Sequence, residues 1–264
     1  MSERGRSMQT HHLALSALSL SFVLLVWFVI TETGLVSPRF LASPRAIVLE
    51  LLKMLRDGYT GASLFLHFWA SVRRTLVGYL LAVAVGVPLG LLLGSNRVSY
   101  YLVTPVMTLL RPIPPIAYIP LAILWFGLGN PPAFFLICLG GFFPVLMNTI
   151  AGVRSVDAIY LRAAQNLGAG EWTLFWRIMV PAAMPFILTG VRVGIGVAFI
   201  CVIVAEMIAV NSGLGYRILE AREYFWSDKV IAGMITIGMV GLGIDLLMAR
   251  LNRWLLRWHR GVDG

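Results

Sequence analysis

Apolar runs of membrane-crossing length recur six times along the chain, at Leu13–Ile30, Thr75–Leu93, Thr104–Leu128, Pro132–Ile150, Pro185–Val210 and Val230–Ala249. Each is near the ~20 residues a helix needs to cross about 30 Å of hydrocarbon. Six spans put both termini on one side. The first run follows Arg4, Arg6, His11 and His12, as a signal peptide's core would. Such a core has ~7–15 residues and a small-residue cleavage site. This run has 18 and closes on Trp27-Phe28-Val29-Ile30-Thr31-Glu32, so it is read as a true span. The pattern divides the chain into a tail over 1–12, a first span over 13–30, a connection over 31–74, a five-span core over 75–250 and a tail over 251–264. Within the connection, Ser43-Pro44-Arg45 opens a helix with Ile47, Val48, Leu51, Leu52 and Leu55 on one stripe. Ser43 caps it, Pro44 takes its first position and Gly58 ends it. A second short helix, Leu64–Arg74, is expected to lead into the second span.

Composition agrees with an integral membrane protein. Of 264 residues, 59% are hydrophobic and 12% charged, and mean hydropathy is +0.85. A soluble domain is roughly 45–50% apolar and about 25% charged. That excludes a soluble enzyme, a disordered tail and a disulfide scaffold. The net charge of +9 comes from 21 basic residues, all arginine except Lys53 and Lys229, scattered between the runs. A nucleic-acid binder gathers such residues on one face. Cys138 and Cys201 sit within apolar runs and read as small buried hydrophobes. With the termini inside, ten basic residues lie inside and nine outside, so the total does not set orientation, although the two tails favour it.

Residues 155–181 are the unusual loop. Val156, Ile159, Tyr160, Ala163, Ala164 and Leu167 follow helical spacing up to Gly168, the residue suited to a C′ position. Trp172, Phe175, Trp176 and Met179 then repeat the spacing until Pro181, which is expected to stop the second helix. A hairpin of this kind either docks on a partner or lies on the lipid surface.

At this loop the chain resembles a known family. Arg162-Ala163-Ala164, Gly168 and Ile178-Met179-Val180-Pro181 match in spacing the "EAA…G…I-x-L-P" loop of ABC importer permeases. Arg162 stands where the pattern has Glu, and Val180 where it has Leu. Arg111-Pro112-Ile113-Pro114-Pro115, Leu124-Trp125-Phe126-Gly127-Leu128-Gly129, Ala205-Glu206 and Gly213-Leu214-Gly215 resemble the nitrate/sulfonate/bicarbonate and taurine branch. Arg162-Ala163-Ala164-Gln165 and the closing Trp258-His259 lean toward the taurine-type permeases. The resemblance runs from about Pro38 to Gly261. It implies an all-α, six-span type I importer permease (MetI-like) fold. It also implies a homodimer of this chain, two ABC ATPase subunits and a periplasmic or lipid-anchored substrate-binding protein. The loop is then the coupling loop, carried by Arg162, Ala163, Ala164, Gly168, Trp172, Ile178 and Pro181. It faces the cytoplasm, which puts both termini there and residues 31–74 in the periplasm.

The residues themselves offer no covalent chemistry. Neither Lys53 nor Lys229 lies in a phosphate-cradling Gly-x-x-x-x-Gly-Lys-Ser/Thr, so ATP and Mg are expected on a partner and no cofactor or metal on this chain. The histidines are scattered and the carboxylates unpaired. Span three carries Pro112, Pro114 and Pro115. Prolines strand carbonyls, and such backbone survives in a bilayer where it is buried in protein or lines a wet cavity. They are therefore either kinks or the solute path. Arg111 and Arg192 fall near the cytoplasmic ends of their spans and Glu206 near an outer end. The arginines either face a cavity, which suits an anion, or snorkel. Glu206 serves the path or a structural hydrogen bond, and Asp245, five residues before Arg250, reads as structural. Gly86, Gly90 and Gly94, with Gly190 and Gly194, permit close helix contact within or between chains.

The expected function is a non-enzymatic permease subunit of an ATP-driven importer in the bacterial inner membrane, moving a small anion. A sulfonate such as taurine comes first, then nitrate, bicarbonate or another small organic anion. A stand-alone secondary transporter is the rival class; it calls for inverted repeats, which the sequence does not show.

Overall fold

The computed structural model describes residues 3–58 and 63–257, with backbone alone at 3–14, 16, 17 and 57. The Trp258-His259 pair lies outside the described residues. Within them the chain is helical, without a strand. The helices are α1 (Glu3–Glu32), α2 (Pro44–Asp57), α3 (Leu64–Ser95), α4 (Arg97–Leu110), α5 (Ile119–Phe126), α6 (Asn130–Arg154), α7 (Ala158–Asn166), α8 (Glu171–Leu174), α9 (Val180–Ile208), α10 (Leu214–Glu223) and α11 (Ser227–Leu255). Among the described residues four stretches are long and apolar enough to cross a membrane: α3, α6, α8 through α9, and α11. The bent pair α4–α5 makes a fifth. The first expected span, Leu13–Ile30, falls on α1. That helix is described from Glu3, and its described apolar part is the shorter Leu18–Glu32.

Three boundaries differ from the sequence reading, each for a physical reason. The expected helix over Leu64–Arg74 is not separate but the first third of α3, because Arg73 and Arg74 interrupt hydropathy, not helix geometry. The third span, expected as Thr104–Leu128, is two helices at 83°. Pro114 adopts extended backbone (ψ 138°) before Pro115, as a residue preceding proline prefers, and a 3₁₀ turn over Pro115–Tyr118 restarts the chain. Pro181 does not stop its helix. A π turn over Phe175–Met179 precedes it, with the Val180 amide donating to the Phe175 carbonyl, so the register shifts where the proline ring would crowd a normal turn.

Packing divides the chain into two units, Met1–Leu64 with Ile218–Thr236, and Phe65–Arg217 with Ile237–Gly264. In the first, Ala42, Ile47 and Met54 close on Ala232, with Trp27 and Leu51 beside them. Ser43 Oγ accepts from the Ala46 amide and Gly58 ends α2 at φ 83°, as expected. The expected α2 stripe is rotated, however. Ile47, Glu50 and Met54 face in, while Val48, Leu52 and Leu55 are exposed.

The second unit is centred on α6, flanked by α3 and α9. Tyr79, Ala82, Ile137, Val145, Ala198 and Phe199 form its core, and Tyr79 Oη donates to the Val191 carbonyl. A Cβ at Gly90 would lie 2.6 Å from Thr149 Cβ, and one at Gly94 2.6 Å from Val153 Cβ. A Cβ at Gly190 would lie 2.7 Å from Asn148 Cβ, and one at Gly194 3.0 Å from the Gly141 carbonyl. Both glycine series are therefore used within the chain, against α6.

Candidate functional site

The 155–181 loop folds from its own local signals. Asp157 caps α7 by accepting from the Ile159 amide at 2.9 Å. The Gly168 amide donates to the Gln165 carbonyl (2.9 Å) and the Ala169 amide to the Ala164 carbonyl (3.0 Å). That is a Schellman cap, with Gly168 at φ 86° in its left-handed position. The apolar face of α7 is uncovered, Leu167 being 90% exposed. Trp172, 75% exposed, meets Trp176 edge-on at 5.6 Å. Arg162 and Ala163 are exposed, and Ala164, Ile178 and Pro181 half-buried. A groove of about 1050 Å³ runs between the α3–α4 corner and this loop, walled by Leu91, Asn96, Arg97, Gln165, Trp172 and Phe175.

The proline break borders a second space. A cavity of about 340 Å³ is lined by Arg111, Ile113 and Pro115 with Phe143 and Asn148 of α6 and Val193 of α9. Arg111 ends α4 in helical backbone (φ −57°), its amide donating to the Met107 carbonyl. Its guanidinium is the one cation among the lining residues, and Asn148 supplies an amide. Pro112 and Pro114 are exposed and do not line the cavity; they make the bend that brings Pro115 to it.

The other two charges expected on the path, Glu206 and Arg192, are not among the residues that line this cavity. Glu206 is fully buried, about 21 Å along α9 from Arg192 at 1.5 Å per residue. It accepts from Arg74 Nη1 (2.8 Å), Ser71 Oγ (2.8 Å) and the Gly215 amide (3.0 Å). Arg74 also donates to Asn130 Oδ1, the Ser212 carbonyl and Ser212 Oγ, and Arg217 Nε donates to His67 Nε2. Gly213, at φ 113°, lets the loop close over the carboxylate; a Cβ there would lie 2.2 Å from it. Glu206 is thus enclosed by protein partners and is not among the residues that line the cavity. Its partners went unread in the sequence; the available signal was that a carboxylate within a span, costing about 2.5 kcal/mol or more, needs a cation. Arg192 is twelve residues into α9, because the helix starts before Pro185. It holds Asp245 with Nε to Oδ1 at 2.9 Å and Nη2 to Oδ2 at 2.8 Å. Asp245 therefore pairs with Arg192 across helices, not with Arg250 along its own.

Comparison with known proteins agrees with this architecture. Residues 86–260 match the family model of the binding-protein-dependent transport system inner membrane component. The taurine transport system permease protein of Escherichia coli (strain K12) is 37% identical over 255 residues, covering 96% of this chain and 93% of that one. The putative aliphatic sulfonates transport permease protein of Bacillus subtilis (strain 168) is 37% identical over 243 residues, covering 92% and 86%. A structure of the MetNI methionine ABC transporter, in an inward-facing conformation, shares the fold at TM-score 0.61 and 17% identity, over 70% of this chain and 92% of that one. A chain with these apolar helices, this loop and these relatives belongs to the binding-protein-dependent ABC importer permeases, the membrane subunits of transport systems of the inner membrane.

Proposed function

We propose that this permease forms, as a homodimer, the membrane path of an importer for a small anion, foremost a sulfonate such as taurine. Two copies of a separate ATPase hold ATP and Mg and drive it; this chain holds no cofactor. They dock on the 155–181 loop at the cytoplasmic face, where both termini also lie. A substrate-binding protein delivers the solute from the other side and supplies most of the selectivity.

The observation that carries the reading is the cavity at the proline break, with Arg111 in its wall. A space that size, with Arg111 and Asn148 as the polar side chains of its lining residues, suits a small anion. The uncovered apolar face of α7 and the exposed Trp172 support docking, since a monomer in water gains nothing by leaving them bare. The taurine and aliphatic-sulfonate relatives support the sulfonate. Nitrate, bicarbonate and other small organic anions are the substrates to compare.

The test is uptake by vesicles containing this chain, its ATPase and its binding protein. ATP-dependent taurine accumulation, lost when the ATPase is omitted, is the expected result. Taurine uptake by this chain alone, driven by an ion gradient, would replace the reading with a secondary transporter.

A further inference from the structure

Arg192 and Asp245 lie on the inner turns of two membrane helices, yet their side chains are 43% and 55% exposed in the single chain. Lipid is a poor neighbour for two charges at that depth, so this face meets water or protein. Arg192 shares an exposed stripe of α9 with Thr189, Val193 and Gly196, and Val193 is a wall of the Arg111 cavity. Nothing lies within 4 Å of where a Cβ would sit at Gly196 on α9 or at Gly243 beside Asp245 on α11. Arg192 and the cavity-wall residue Val193 are thus neighbours on one exposed side of α9.

We propose that Arg192–Asp245 is a self-neutralised anion station on the solute path. A passing oxyanion takes the place of the Asp245 carboxylate on the Arg192 guanidinium, and Asp245 returns as the anion leaves. The inference rests on the reading that this permease passes a small anion. The two-pronged contact, 2.9 and 2.8 Å, is the geometry in which a guanidinium takes two oxygens of one group. Sulfonate, nitrate and carboxylate all offer such a pair of oxygens, so the resident carboxylate is a template for the ligand. A bare guanidinium in a low-dielectric path would hold an anion too firmly, and conduction needs a site that also lets go. A neighbouring carboxylate that competes for the same donors supplies that release. The other intramembrane pair behaves oppositely: Glu206 is fixed by Arg74, Ser71 and the Gly215 amide and is closed to solute.

The test uses the assembled transporter in vesicles, with taurine as the probe. Arg192→Gln is expected to lower ATP-driven uptake at least tenfold. Asp245→Asn is expected to lower the maximal rate at least threefold and the half-saturating concentration with it, because the anion stays bound. The neutral pair R192Q/D245N, which leaves no unpaired charge, is expected to stay within twofold of R192Q. Recovery of the double variant beyond that, toward wild type, would make the pair structural and overturn the station alone. Wild-type vesicles that accumulate no small anion would instead overturn the parent reading. Should R192Q fail to assemble, Thr189→Cys decides, with the pair intact and Cys138 and Cys201 replaced by alanine. A negatively charged thiol reagent should label it and taurine should protect it; absence of labelling or of protection would overturn the proposal.

Discussion

Arg74 and Glu206, 132 positions apart in the chain, meet with Nη1 2.8 Å from Oε1 and both side chains buried. Through Ser71, Ser212 and the Gly215 amide the pair ties the start of α3 to the end of α9 and to the loop that follows it. Removing one partner of a buried pair strands the other charge at a cost of about 3–5 kcal/mol. Arg74→Ala is therefore expected to lower the thermal unfolding midpoint in detergent sharply. The apolar double variant R74M/E206M should lose less than R74A alone. An unchanged midpoint in R74A would show that the pair contributes little.

Gly168 is the left-handed residue of the α7 cap, and nothing lies within 4 Å of where its Cβ would be. Gly168→Val is thus a test of backbone alone, at about 1–2 kcal/mol for the left-handed conformation and more for a β-branched residue. The variant should insert normally, because α7 is outside the membrane-crossing helices. It should lose retention or stimulation of the ATPase. Wild-type transport rates in G168V vesicles would remove the loop from coupling.

Phe225 occupies the same position of a second Schellman cap. Its amide donates to the Arg222 carbonyl at 3.0 Å and the Trp226 amide to the Ala221 carbonyl at 2.9 Å. Its φ is 56°, and the ring is 70% exposed, so little burial offsets the strain. Phe225→Gly is expected to leave stability unchanged or raise it by up to about 1 kcal/mol, the strain relieved less the entropy of glycine. A drop of that size in the unfolding free energy would mean the ring makes contacts that outweigh its backbone.

Sequence reading reached the parts of this molecule that local chemistry sets. Ser43, Pro44 and Gly58 bound α2, and Gly168 marks the turn after α7, because caps act within four residues. The apolar runs locate α6, α9 and α11 to within about six residues, and the end but not the start of α3. What escaped was set by partners distant in the chain. Arg74 reads as the end of a short helix outside the spans, because only Glu206, on another helix, makes it a buried charge. Asp245 was matched to Arg250 by spacing, while the geometry of α9 and α11 gives it Arg192. The inward face of α2 is not legible locally, because Val48, Leu52 and Leu55 form as good a stripe as Ile47 and Met54, and partners distant in the chain, Trp27 and Ala232, select between them. Pro181 read as a stop since a π turn leaves no signature in composition. Arg111 was singled out for the company of prolines, and the cavity is where the bend puts it.

On the proposed function, the proline break opens onto the solute's path. Cysteine at Ile113, which lines the Arg111 cavity, measures it, in a background with Cys138 and Cys201 replaced by alanine. Cysteine at Leu80, exposed on α3 and outside that cavity, is the control. In vesicles of the assembled transporter, a membrane-impermeant thiol reagent should modify Ile113→Cys. Its rate should change when ATP and loaded binding protein are added, while Leu80→Cys stays slow throughout. Equal and low modification at both positions under every condition would leave Pro112, Pro114 and Pro115 as kinks and take Arg111 off the path.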